Sequence, residues 1–297
     1  MSSSRSAVVR SELAPADVAP TEIDRPLTDD VPARTLTMST GPFVRTEVVD
    51  GVHHVQLDRP DRRNAVSDEL YAELVPALQA VADDREARAL LLSGAGKSFC
   101  AGADLKAHAS RDRTHAERRA YVWAGQRVGR LLQTMGIPVV TAVHGHAIGA
   151  GAEMALSGDV VVVADDLTLA FPEVGLGTFV GGGLSQRLPL LVGPARARQL
   201  LLLDRRLTGK EAVDWGLATE AVAADEVQSR ALDLARHLAE LPAISVRYAK
   251  QALAGAGAMS LDEALVLEAE ALLACMGTDD WSSGVQAFGN RHDTGGA

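Results

Sequence analysis

Between residues 43 and 164, short aliphatic runs alternate with segments of helical period, and this alternation constrains the fold more than any other feature. Residues 43–49 and 52–57 read as two strands around Asp50-Gly51, a dipeptide suited to a two-residue hairpin turn. Residues 67–81 carry Leu70, Leu74, Leu78 and Val81 at helical spacing. Residues 89–92, 138–143 and 159–164 are continuous apolar runs that fit buried strands, and 114–135 reads as a longer helix. Strands and helices in this order predict an α/β core with a parallel sheet.

From residue 182 onward the pattern is mostly helical. Thr208 with Glu211, and Ser260 with Glu263, form capping boxes that set helix starts at about 209 and 261. No internal repeat at a solenoid period is present. The expected layout is an extension over 1–40, an α/β core over 41–200 and a helical region over 201–297. The extension is rich in Ser, Pro, Thr, Asp and Arg, a composition that predicts disorder. Met38, just before the first strand, is an alternative to Met1 as the translation start, which the intact mass of the native protein decides.

Composition narrows the function. Hydrophobic residues make up 47% of the 297 and aromatics only 4%, so the core is expected to be aliphatic and alanine-rich. A net charge of −10 disfavours nucleic-acid binding. The most apolar stretch, 137–164, is interrupted by His144, His146, Glu153 and Asp159, which disfavours a membrane span. The first residues lack a secretory apolar region, and Glu12, Asp17, Glu22 and Asp24 disfavour an organellar presequence. A cytoplasmic protein is expected, with Cys100 and Cys275 as inert thiols.

Three segments carry the candidate chemistry. The first, 93–106 (SGAGKSFCAGADLK), fails as a phosphate loop because that spacing needs a glycine where Leu91 stands. Its small residues, Ala101-Gly102-Ala103-Asp104, would let a backbone N–H approach a carbonyl oxygen, although a plain tight turn needs small residues too. The second, 143–156 (VHGHAIGAGAEMAL), runs from a strand through small residues into a helix, where unpaired N–H groups converge. Such a start can stabilise a developing oxyanion. Glu153 lies in the first turn, where helix-dipole complementarity alone would explain it. His144 and His146 lack a third metal ligand. The third, 170–183 (AFPEVGLGTFVGGG), sets Glu173 before a glycine-dense loop, and an exposed loop carboxylate is its plain alternative. Neither glycine cluster completes a dinucleotide fingerprint, since Met154 and Val180 occupy the third-glycine positions.

In this order the segments resemble the crotonase family, the enoyl-CoA hydratases and isomerases, from about residue 43 to 292. Arg59-Pro60, Arg63-Asn64-Ala65 and the run LTGKEAVDWGLA at 207–218 extend the likeness. The resemblance implies a crotonase-like spiral of repeated ββα units with a helical C-terminal trimerisation region, as a homotrimer or homohexamer. It implies an acyl-CoA substrate, coenzyme A being part of that substrate, with no further cofactor and no metal. The oxyanion donors would be the N–H groups of Ala103 and Ala150. Glu153 would activate water and Glu173 would protonate C2, while Ala101, Asp104, Leu105, Lys106 and Gly149 would contact the substrate, Lys106 near the CoA phosphates.

Gly181 stands where dienoyl-CoA isomerases have an aspartate; in hydratases the glycine N–H helps hold the water. Enoyl-CoA hydration is therefore the expected reaction. The alternatives are another crotonase-type reaction, isomerisation or dehydration, and a non-catalytic binding subunit. Ala150 departs from the hydratases' usual glycine, and the ending Phe288-Gly289-Asn290-Arg291-His292 matches the family's tail imperfectly. The charges at 111–119 are expected on a solvated helix face.

Overall fold

The computed structural model describes residues 41–110 and 112–293. The extension over 1–40, the alternative start at Met38 and the charge at Arg111 lie outside the described residues. The chain runs β1 (Val44–Val49), β2 (Val52–Leu57), α1 (Asp68–Asp83), β3 (Ala89–Gly94), α2 (Leu105–Ala109), α3 (His115–Thr134), β4 (Val139–Val143), β5 (His146–Ile148), α4 (Ala150–Ala155), β6 (Val160–Ala164), β7 (Thr168–Ala170), α5 (Leu184–Leu202), α6 (Gly209–Asp214), β8 (Glu220–Val222), α7 (Val227–Glu240), α8 (Ala243–Gly255), α9 (Leu261–Met276) and α10 (Asp279–Asp293).

The first hairpin forms as expected. Asp50 and Gly51 take φ of 52° and 75°, which matches a two-residue turn to the twist of the strands. The large sheet has the order β1-β2-β3-β4-β6-β8, antiparallel only at β1–β2. Every residue of β3 and β4 is buried, which is why these strands read as unbroken apolar runs. On α1 the positions Leu70, Leu74, Leu78 and Val81 are at most 1% exposed. Helix α7 packs on the sheet through Val227, Ala231 and Ala235.

A second layer runs beside the sheet. Val66 bridges Ala103, Cys100 bridges Ala147, β5 pairs with β7, and Leu169 bridges Leu207. Successive passes of the chain thus lay a strand in the large sheet and then a short extended segment in the second layer. This is the expected spiral of ββα turns.

The capping boxes at Thr208 and Ser260 are both formed, and their helices start at Gly209 and Leu261. Three strands go beyond the sequence reading. β5, β7 and β8 have 3 residues each, too short to show a period. β8 lies in the stretch read as helical and pairs with β6. The charged run also needs one correction. Arg113 is 7% exposed, not solvated: it pairs with Asp68 at 2.6 Å and stacks 4.9 Å over the Tyr121 ring. Among the described residues no helix is long and apolar enough to cross a membrane.

Candidate active site

The site forms where the second layer meets α4. Parallel pairing sets Ile148 beside Ala170, and the Gly149 N–H donates to the Ala170 carbonyl at 2.9 Å. This brings the start of α4 against the segment that carries Glu173. From the other side, Cys100 N–H donates to His146 O at 3.0 Å, and Ile148 N–H donates to Cys100 O at 3.1 Å. The segment 100–104 therefore lies along β5.

Two glycines make this contact close. A Cβ on Gly102 would stand 2.7 Å from the Ile148 carbonyl oxygen and 4.0 Å from the Ala150 nitrogen. A Cβ on Gly151 would overlap the Cys100 carbonyl. The result is that Ala103 and Ala150 neighbour each other in space. Neither N–H donates to an acceptor among the described residues. Helix α4 has only 6 residues, so its dipole is small and the unpaired amide itself is the useful group.

Both glutamates flank this point. The Glu153 N–H closes the first turn of α4 on Gly149 O at 2.9 Å, and its Oε1 accepts from the Gly181 N–H at 2.5 Å. Burial raises its pKa, and the Gly181 amide works against that rise. Glu173 is 8% exposed, so the plain reading of an exposed loop carboxylate does not hold. Its Oε1 stands 2.5 Å from where a Gly149 Cβ would be, and its buried Oε2 has no partner among the described residues. Burial pushes Glu173 up to about 7; its own backbone N–H opposes this, and the charges of Glu153 and Asp204 add to it. The Gly181 amide thus offsets part of the effect of burial on Glu153, while Glu173 retains its proton near neutrality.

Gly181 is a glycine for lack of space. A Cβ there would lie 2.9 Å from Glu153 Oε2 and 3.2 Å from Gln126 Nε2. Its N–H is directed at Glu153, so in this structure it orients the carboxylate. The other residues singled out divide into two groups. Ala101 and Gly149 commit their N–H groups internally, to Arg63 O and Ala170 O, both at 2.9 Å. Asp104 caps α2 through the Ala107 N–H at 3.1 Å and pairs with Arg59 at 3.2 Å. Leu105 and Lys106 are exposed on α2.

Residues not singled out in the sequence also border the site. Tyr71 is 5% exposed, and its hydroxyl is held well above the usual phenol range by burial, then by Tyr121, Glu153 and Cys100. The Tyr71 and Tyr121 rings lie 5.2 Å apart. Burial pushes the Cys100 thiol up to about 12, which leaves it inert. Gln126 lies on the face of α3 that also carries Gly129 and Gln133. The signal for these was present: small and amide residues recur at helical spacing along 125–133.

Elsewhere, Glu47, His54 and Ser93 form a hydrogen-bonded line at 2.9 and 2.8 Å. Ser93 is fully buried, so no substrate reaches its hydroxyl. Among the described residues no group of three or more His, Cys, Asp or Glu is placed to hold a metal.

Comparison with known proteins shows the family and the fold. The enoyl-CoA hydratase/isomerase family profile matches residues 47–295. The chain belongs to this family, also called the crotonases, and has its mixed α/β fold with C-terminal helices. A 1,2-epoxyphenylacetyl-CoA isomerase of Escherichia coli K12 is 36% identical over 254 residues, covering 83% of this chain and 95% of its own. A crotonyl-CoA hydratase of Syntrophomonas wolfei is 35% identical over 233 residues, covering 78% and 89%. The crystal structure of an enoyl-CoA hydratase from Bacillus anthracis superposes with a TM-score of 0.79 at 31% identity, covering 84% of this chain and 96% of that one.

Proposed function

We propose that this chain adds water across the 2,3 double bond of an enoyl-CoA thioester. The observation that carries the reading is the convergence of a half-buried and a buried carboxylate, Glu153 and Glu173, and two unpaired amides around the start of α4. Gly181, which brings no side-chain carboxylate into the site, favours hydration over a proton shuttle along the acyl chain.

The chemistry follows from the charges. The thioester oxygen would sit between the Ala103 and Ala150 N–H groups, which stabilise it as negative charge develops. One such donor is worth about 3 kcal/mol of barrier. Glu153, whose charged form accepts a hydrogen bond from the Gly181 N–H, takes a proton from water as the oxygen bonds to C3. The π pair moves toward the thioester oxygen as an enolate. Glu173, which holds its proton near neutrality, then delivers it to C2. Transfer of a proton from Glu153 back to Glu173 through solvent restores both groups.

The test is an absorbance assay on crotonyl-CoA with wild type, Glu153→Gln and Glu173→Gln. Each substitution is expected to lower turnover at least ~100-fold, the scale for losing a general acid or base. An unchanged rate in either variant removes that residue's role. A product with a shifted double bond and no hydroxyl group would replace hydration by isomerisation.

A homotrimer or homohexamer is the assembly we propose. Support comes from α9, an apolar helix with no buried residue, on which Leu261, Leu265, Val266, Leu272 and Leu273 are more than half exposed.

A further inference from the structure

We propose that Gln126 holds the attacking water against Glu153, as a further residue of the catalytic machinery; this rests on the hydration reading above. The argument starts from α3. Gly129 of this helix touches the Gly182 backbone, since a Cβ there would lie 2.8 Å from the Gly182 Cα. One turn later, Gln133 Nε2 donates to Gly182 O at 2.9 Å and to Gly129 O at 2.8 Å. One turn before Gly129, Gln126 projects from the same face, so its carboxamide is carried to the Gly181–Glu153 pair. On the preceding residue, Gly125, a Cβ would come within 2.8 Å of the Tyr71 hydroxyl, so a buried wall fixes this stretch of helix from the other side.

Gln126 is half-buried, and its carboxamide makes no hydrogen bond to any described residue. Gln133 Nε2, on the same face, is already committed to Gly129 O and Gly182 O. Glu153 Oε2 and Gln126 Nε2 both face Gly181, at 2.9 and 3.2 Å from the point where a side chain would begin, and make no direct hydrogen bond to each other. Glu153 Oε1 is occupied by the Gly181 N–H, so Oε2 is the oxygen free to act as base.

A water bridging these two atoms can use three of its four hydrogen-bonding positions productively. One O–H donates to Glu153 Oε2 and is the bond that breaks. One lone pair accepts from Gln126 Nε2–H. The remaining lone pair forms the bond to C3, and the π pair moves to the thioester oxygen. Gln126 changes no charge in this cycle; it removes the water's freedom to turn away, which is an orientation effect.

The test uses the full-length enzyme with Gln126→Leu and Gln126→Glu, assayed for crotonyl-CoA hydration across pH and for thermal unfolding. Gln126→Leu is expected to lower kcat about tenfold, the scale of one hydrogen bond to a reacting group, with KM within about twofold. Gln126→Glu sets a second carboxylate beside Glu153, which raises the Glu153 pKa and moves the acidic limb of the kcat profile to higher pH. A residue that only packs would let Gln126→Glu move this limb but would leave kcat of Gln126→Leu at the wild-type level. Retention of wild-type kcat in Gln126→Leu, or an acidic limb unmoved in Gln126→Glu, overturns the proposal while leaving hydration standing. Loss of kcat accompanied by a large fall in Tm in both variants also overturns it, in favour of a structural role. A wild type that forms no 3-hydroxyacyl-CoA overturns the hydration reading itself, and the water role falls with it.

Discussion

Glu153 and Glu173 are the same residue type in one site, yet the fold treats their charges differently. The Gly181 amide stabilises charge on Glu153, whereas Glu173 Oε2 is buried without a partner among the described residues. A proton donor must be protonated to act, so hydration is expected to fall as pH rises through about 7, where Glu173 loses its proton. A kcat/KM profile flat across neutrality would count against this assignment. The same shift has a cost in stability. The carboxyl titrates near 4.5 when unfolded and near 7 when folded. The native state therefore binds the proton more tightly, and stability falls as pH rises between these values. The penalty is complete above about 7 and absent below about 4.5. Glu173→Gln is therefore expected to unfold at a higher temperature than wild type near pH 8, with the gap closing in acid, while activity is lost. A Tm at or below wild type near pH 8 would refute this.

At the scale of elements, the site depends on how closely α4 and the segment 100–104 approach. Gly151 touches the Cys100 carbonyl, so Gly151→Ala must push the two apart. The expected cost is about 1–3 kcal/mol of stability, as for an overpacked core position. The rate should drop more than that implies, because Ala103 and Ala150 would no longer point at one oxygen. Denaturant titration and steady-state kinetics on the same variant separate the two effects; full activity would mean that the spacing of the amides does not matter. What could be read in advance follows from these elements. The helix α1 and the capped starts of α6 and α9 were legible because period and capping are local. β5, β7 and β8 were not, because 3 residues carry no pattern, and their partners lie far off in the chain. The carboxylate pair shares that limit. Glu153 and Glu173 meet through the β5–β7 pairing, so their residue types were visible and their convergence came only through family resemblance. Gln126 belongs to no motif; the small and amide residues along 125–133 mark its helix face, and the contact of α3 with Gly181 and Gly182 gives that face its place at the site.

At the scale of the molecule, the C-terminal helices are firmly attached but incompletely covered. Lys250 of α8 is 9% exposed and reaches the α3–β4 junction, donating to Leu132 O at 3.0 Å and Ile137 O at 2.9 Å and pairing with Asp159 at 2.7 Å. Helix α9 packs on α8 and still leaves Leu261, Leu265 and Val266 at 74, 52 and 64% exposed. Burying this face removes apolar surface from water, which favours the assembly proposed above. Light scattering is expected to give three or six times the chain mass at micromolar concentration. The double variant Leu265→Asp, Val266→Asp sets charge on that face at two exposed positions, where the fold of the single chain tolerates it. It is expected to shift the mass toward one chain while the circular dichroism spectrum is unchanged. A wild type that runs as a monomer, or a double variant that stays assembled, would mean that α9 faces something other than another copy of this chain.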